Sequence, residues 1–149
     1  MIKVERTNSK HKDFIKLVDL LNAYLKITDG EEHSFYNQFN GLEQLNHVIL
    51  VYDSNKPVAC GAFKAFDNKF VEIKRMYTIP ESRKKGLASN VINHLESWAK
   101  ELKFSGCILE TGKRQIEAVQ FYKKIGYQET EKYGPYKNMD NSICFKKEF

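Results

Sequence analysis

The stretch ESRKKGLASNVI, Glu81–Ile92, sets three cations, Arg83, Lys84 and Lys85, against Gly86, and a small side chain, Ala88, follows. A helical apolar stripe starts there, with Leu87, Val91, Ile92, Leu95, Trp98, Ala99 and Leu102. The first four amides of a helix have no partner inside it, and they lie at the positive end of the helix dipole. A phosphate placed at such a mouth accepts several of them at once. Glycine lets the backbone come close and take dihedrals that other residues disfavour. Ala88 leaves the approach open, and the three cations draw an anion toward it. The chemistry this spacing suits is pyrophosphate binding. A Walker loop, GxxxxGK[ST], is absent, as is a GxGxxG fingerprint after the first strand. On these residues alone, an ordinary helix start beside a solvated basic loop is the plainer alternative.

Other residues offer acid–base chemistry. In FVEIKRMYT, Val71 and Ile73 point to the opposite face from Glu72 if the strand is regular, so this carboxylate faces a cleft. Glu110 ends the next apolar run, GCILE. Tyr122 lies on a helix between Phe121 and Ile125, where spacing alone reads as core packing. Cys60, Cys107 and Cys144 are odd in number, far apart and set in apolar stretches. Without a CxxC or Cys/His cluster they read as reduced core thiols, and no metal is expected.

The net charge of +5 suits an anionic ligand, but no RNP-like motif, zinc finger or basic arm accompanies it, so nucleic acid is not the expected partner. No apolar run approaches the roughly 20 residues of a membrane helix, so no membrane role is expected. MIKVERT lacks the apolar core of a signal peptide, which makes the cytoplasm the expected location.

The positioning elements can be read along the chain. At 149 residues, with three prolines and no repeat or low-complexity linker, a single domain over residues 1–149 is expected. A strand over 1–7 precedes a helix over 11–27, stopped by Thr28-Asp29-Gly30, and a weaker helical segment spans 31–45. Two strands follow, joined by a turn at Asp53–Lys56, and then FVEIKRMYT, ended at Pro80. The long helix after Gly86, the strand GCILE, a helix ended by Gly126, and two last strands, YQETEKY and SICFKKE, complete the order. The pattern predicts an α/β fold with a mixed, mostly antiparallel sheet of six to seven strands and about four helices.

R-x-x-G-x-A, lying between a strand that ends in proline and an amphipathic helix, resembles the coenzyme A loop, [Q/R]-x-x-G-x-[G/A], of the GNAT superfamily of acyl-CoA N-acyltransferases. MYTIPESRKKGLASNVI looks like that family's strand, proline and loop–helix unit throughout. AVQFYKKIGY, Ala118–Tyr127, is similar to its A-x-x-[FL]-Y-x-x-x-G-[FY] element, with one strand between the two as expected. The likeness covers roughly residues 47–149, while the first two helices match only in position.

The resemblance implies an acetyl-CoA-dependent N-acetyltransferase with acetyl-CoA as co-substrate, a small-molecule or peptide amine as acceptor, and a splayed CoA-binding cleft. Homodimers are common among such proteins. A non-catalytic CoA-binding sensor or adaptor is the alternative. The cofactor side would comprise Met76, Tyr77, Thr78, Arg83, Lys84, Lys85, Gly86, Leu87, Ala88 and Ser89. A bulge in KRMYT would free an amide for the thioester oxygen, and a regular alternation there would split Ile73 and Met76, which both look buried. Where the family often has asparagine, this chain has Gln115, whose longer amide keeps a pantetheine contact within reach. Tyr122 would be the general acid toward the CoA sulfur. Glu72 would be the general base, with Glu110 as second candidate. The acceptor would bind between the first helices and the last strands, among Tyr24, His33, Phe35, Tyr36, Phe39, Tyr133, Tyr136 and Arg75. Tyr133 and Tyr136 fall in a turn by composition and are expected to be exposed, and Arg75 is expected to hold a carboxylate.

Overall fold

The computed structural model describes residues 1–32 and 45–149. Seven strands form one sheet: β1 (Ile2–Thr7), β2 (His47–Asp53), β3 (Lys56–Ala65), β4 (Phe70–Thr78), β5 (Gly106–Gly112), β6 (Gln128–Thr130) and β7 (Ser142–Glu148). Their spatial order is β1-β2-β3-β4-β5-β7-β6. Every pairing is antiparallel except β4 with β5. Among the described residues there are three α-helices, α1 (Lys12–Asp29), α2 (Leu87–Glu101) and α3 (Ile116–Lys124), rather than about four. The second helical segment expected over 31–45 falls, past Glu32, mostly outside the described residues.

The helices form where apolar periodicity lets one face be buried. On α1 the buried side chains are Phe14, Leu17, Val18 and Leu21. Its start is capped by His11, whose Nδ1 accepts from the Asp13 amide at 3.1 Å. Its end is stopped by Gly30 at φ 57°, one position beyond the expected stop region's aspartate. On α2, Leu87, Val91, Ile92, Leu95 and Ala99 are buried, and each large side chain contributes about 1.5–3 kcal/mol by leaving water. This helix is the crossover that a parallel β4–β5 pair requires.

A buried polar knot ties α2 to the far end of the sheet. Tyr127 donates its hydroxyl hydrogen to Glu96 at 2.9 Å, and Lys147 Nζ reaches the same carboxylate at 3.1 Å. Glu96 is thus buried with both a cation and a hydroxyl on it, as a buried charge requires. The three cysteines are free and buried, and burial pushes the Cys60 and Cys107 thiols up to about 12 and Cys144 to about 11.

Two irregularities open the sheet. The parallel ladder runs only from Phe70↔Gly106 to Glu72↔Ile108. Beyond that point β4 stays with β3 as far as Thr78↔Ala59, while β5 stays with β7 as far as Gly112↔Ser142. The two central strands therefore diverge into a wedge. Near its apex β4 carries a bulge: Cys60 pairs Tyr77 and Ala62 pairs Lys74, so Arg75 and Met76 together oppose Gly61. Arg75 takes φ 60°.

The bulge accounts for the conflict between Ile73 and Met76. Ile73 pairs with Phe63, which packs edge-on against Trp98 of α2. Met76 lies over Gly61 alongside Val91 and Leu95 of α2. The extra residue lets both side chains face α2 and turns Arg75 to the other face, where its Nη2 donates to Asn22 Oδ1 of α1.

Candidate active site

The mouth of α2 is built as its composition predicts. Ile79 leads into a short turn over Pro80–Ser82, and Arg83 closes it with its amide on the Pro80 carbonyl. Arg83 Nε donates to the Thr78 carbonyl at 3.0 Å, and its guanidinium lies over the rings of Tyr24 and Tyr77 at 5.8 Å each. Lys84 takes φ 64° and Gly86 φ 78°, so the chain turns sharply just before the helix. Gly86 is the N-cap and no side chain caps the helix. A Cβ at Gly86 would meet nothing within 4 Å. No side chain therefore occupies the cap position of this helix, and Lys84 and Lys85 are exposed beside it.

A cavity lies where β4 and β5 part, past the end of their short parallel ladder. Leu21, Leu25 and Asp29 of α1 form one wall, and Glu72, Lys74, Arg75 and Met76 of β4 another. Glu110, Thr111 and Gly112 of β5, with Gln115, Ala118, Tyr122 and Tyr136, complete it. Gln115 is the N-cap of α3. The cavity brings together Tyr122, Glu72, Glu110, Arg75, Met76, Gln115 and Tyr136. Tyr77 and Thr78 continue β4 toward the α2 mouth. Tyr36 lies outside the described residues, as do His33, Phe35 and Phe39.

Tyr122 is buried, edge-on to Phe121 and to Tyr127. Burial pushes its phenol up, which keeps the proton on the oxygen. Glu110 is pushed up to about 7 by burial, partly offset by a hydrogen bond from Ser142. Glu72 accepts from the Tyr133 hydroxyl at 2.7 Å and has Lys74 Nζ at 3.7 Å. The two carboxylates therefore differ in setting: one is held by a hydroxyl and a cation, the other is tuned by burial.

Tyr133 and Tyr136 depart from expectation. Both are buried, at 9% and 4% exposure, rather than presented on a turn. Gly134–Tyr136 coils into a 3-10 turn that folds both rings inward, with Ile108 and Cys144 in the same cluster. Phe66 stacks on Tyr133 at 5.0 Å. Turn composition marks the backbone correctly but says nothing of which way an aromatic ring points.

Several residues in or around the cavity carried no sequence signal. Asn22 and Asp29 sit on α1 beside the Leu21–Leu25 face. Arg114 ties this wall in place, its Nη1 donating to the carbonyls of Thr28 at 3.2 Å and Asp29 at 2.8 Å. It thereby satisfies carbonyls that the end of α1 leaves without helical partners. Among the described residues no cluster of His, Cys, Asp and Glu could hold a metal, and no helix is long and apolar enough to cross a membrane.

Arg75 is the most demanding feature. It is a non-glycine residue in the left-handed region, which costs of order 1–3 kcal/mol. Its side chain is buried at 6% exposure, and its Nε has no hydrogen-bond partner.

A mixed sheet wedged open between two parallel strands, an uncapped helix mouth at one end and a carboxylate- and phenol-lined cavity at the other define an acyl-CoA-dependent transferase fold. The chain belongs to the acetyltransferase (GNAT) family, which it matches over residues 14–127, and it is an acyl-CoA N-acyltransferase. It is 26% identical to the IAA acetyltransferase of Azospirillum brasilense, across 91% of this chain and 90% of that protein. It is 29% identical to the uncharacterized N-acetyltransferase YsnE of Bacillus subtilis, across 72% of this chain and 75% of that one. The PaiA N-acetyltransferase of Thermoplasma acidophilum, solved with coenzyme A, shares the fold with a TM-score of 0.74 at 16% identity, covering 100% of this chain and 99% of that one. A Klebsiella pneumoniae protein described as an acyl-CoA N-acyltransferase shares it with a TM-score of 0.83 at 24% identity, covering 99% and 97%.

Proposed function

We propose that this enzyme moves an acetyl group from acetyl-CoA to a primary amine by direct attack of the amine on the thioester. The observation that carries the reading is the wedge between β4 and β5, with the cavity holding Tyr122, Glu72 and Glu110 beside the unpaired part of β4 and the uncapped mouth of α2 following that strand in the chain. The diphosphate takes the amides of Leu87, Ala88 and Ser89, with Arg83, Lys84 and Lys85 around it. The pantetheine arm runs along β4 past Thr78, Tyr77 and Met76, adding to the free side of the strand, with the Gln115 amide in reach. The bulge at Arg75 and Met76 offers backbone polarity to the thioester oxygen, where negative charge develops during attack.

An ammonium has no lone pair, so the acceptor must first give up a proton. Glu110 takes it, because a carboxylate near 7 is matched to neutral pH. Glu72, held by the Tyr133 hydroxyl and near Lys74, lines the same cavity and offers an oxygen to the amine. The amine nitrogen forms a bond to the carbonyl carbon, and the resulting intermediate loses its second nitrogen proton to solvent and collapses with loss of the carbon–sulfur bond, while Glu110 returns its own proton to solvent. The departing sulfur takes the Tyr122 proton, and the phenolate regains one from solvent, leaving amide and free CoA.

Tyr122→Phe tests this. Turnover should fall on the order of a hundredfold or more, with CoA affinity little changed. Equal turnover in the two proteins removes Tyr122 as the acid.

A further inference from the structure

Arg75 is buried on the α1 face of β4 and lines the acceptor end of the cavity. Its Nη2 donates to a neutral amide oxygen, Asn22 Oδ1, and its Nε donates to nothing. No carboxylate among the described residues is paired with it. A guanidinium sealed from water with only a neutral partner is costly unless an anion arrives to compensate it. The protein also holds it in strained backbone, since the bulge that places it requires φ 60°. Lysine at 74 differs in this respect, having Glu72 at 3.7 Å.

Resting on the transferase reading above, we infer that the acceptor is an amine that also carries a carboxylate, which Arg75 binds while Glu72 and Glu110 face the amino end. A guanidinium presents a planar fork that matches a carboxylate. The charge count favours a monoanion. One negative charge compensates Arg75, whereas a phosphate dianion would leave excess negative charge in a cavity also lined by Asp29, Glu72 and Glu110. The class of substrate is therefore a small amino acid or a similar zwitterion, rather than a polyamine.

The experiment is thiol release from acetyl-CoA with paired acceptors: each common amino acid, its carboxamide, and the amine lacking the carboxyl group. The wild type should prefer at least one carboxylate over its carboxamide by about a hundredfold in kcat/KM, because the uncharged analogue leaves the guanidinium unpaired. Arg75→Gln should bring that ratio close to one, whatever happens to the absolute rates, and a CoA-induced thermal shift reports whether the variant is folded. A wild type that turns over carboxylate and carboxamide alike overturns the inference while leaving the transferase reading standing. So does an Arg75→Gln loss that is equal for every acceptor, which would assign the residue to the thioester instead. Failure of every acceptor to release thiol would sink both, and the absence of any CoA-induced shift in the wild type would show that the transferase reading failed first.

Discussion

The hydroxyl of Tyr133 donates to Oε2 of Glu72 at 2.7 Å, across 61 residues of chain. This one bond joins the loop before β7 to the strand that opens the wedge, and it fixes one oxygen of a carboxylate that lines the cavity. The same contact pushes the Tyr133 phenol up, after burial, because a phenolate would meet the Glu72 charge.

Tyr133→Phe should cost about 1–3 kcal/mol, since it leaves a buried carboxylate oxygen without its donor. The ring's stack on Phe66 is kept, so the loss isolates the hydroxyl. Urea denaturation checks it, and a change within experimental error would show that the bond contributes nothing to stability.

Glu110 sets two pH dependences. As the proposed base it acts only when ionised, so kcat/KM should rise with pH through about 7. In Glu110→Gln that rise should vanish along with most of the rate. Stability runs the other way. The folded state holds the proton up to about 7, while an unfolded glutamate gives it up near its ordinary value, 4.5. Between those values the folded state binds more protons, so stability falls as pH rises, and the deficit is complete above 7. Glu110→Gln should therefore be more stable relative to wild type at pH 8 than at pH 5. Melting temperatures of the pair at the two pH values check this.

Gly61 permits the bulge opposite it. A Cβ there would lie 2.5 Å from Met76 Sδ and 2.6 Å from Val91 Cγ1. Gly61→Ala should cost about 1–3 kcal/mol by overpacking. Its acetyl-transfer rate should fall further than its stability alone explains, because Met76 must shift away from its place in the bulge. A variant with unchanged melting temperature and unchanged kcat would show that this contact does not hold the strand.

Ala88→Leu fills the approach to the α2 amides without touching the cavity. CoA affinity in calorimetry should fall at least about tenfold, or about 1.4 kcal/mol. Unchanged affinity would separate the diphosphate from this helix.

Much of this arrangement is legible in the chain because it is local. The mouth of α2 spans a few consecutive residues, Arg83 to Ser89, and the helix after it repeats its apolar positions regularly. The bulge is readable too, since Ile73 and Met76 conflict only under regular alternation. What is not readable comes from contacts distant in sequence. The Asn22–Arg75 bond, the Arg114 clamp on the end of α1 and the Tyr133–Glu72 bond each link residues more than fifty positions apart. No periodicity encodes such pairs. Tyr133 and Tyr136 mislead for the same reason: a Gly-Pro turn fixes the backbone, but long-range packing with Ile108 and Cys144 draws the rings inside.

The measurement that tests the central claim most directly is a crystal structure with acetyl-CoA bound. It should place diphosphate oxygens on the amides of Leu87, Ala88 and Ser89, and the thioester between the diverging ends of β4 and β5 beside Tyr122. A diphosphate bound elsewhere, or strands that close on each other when the ligand binds, would contradict it.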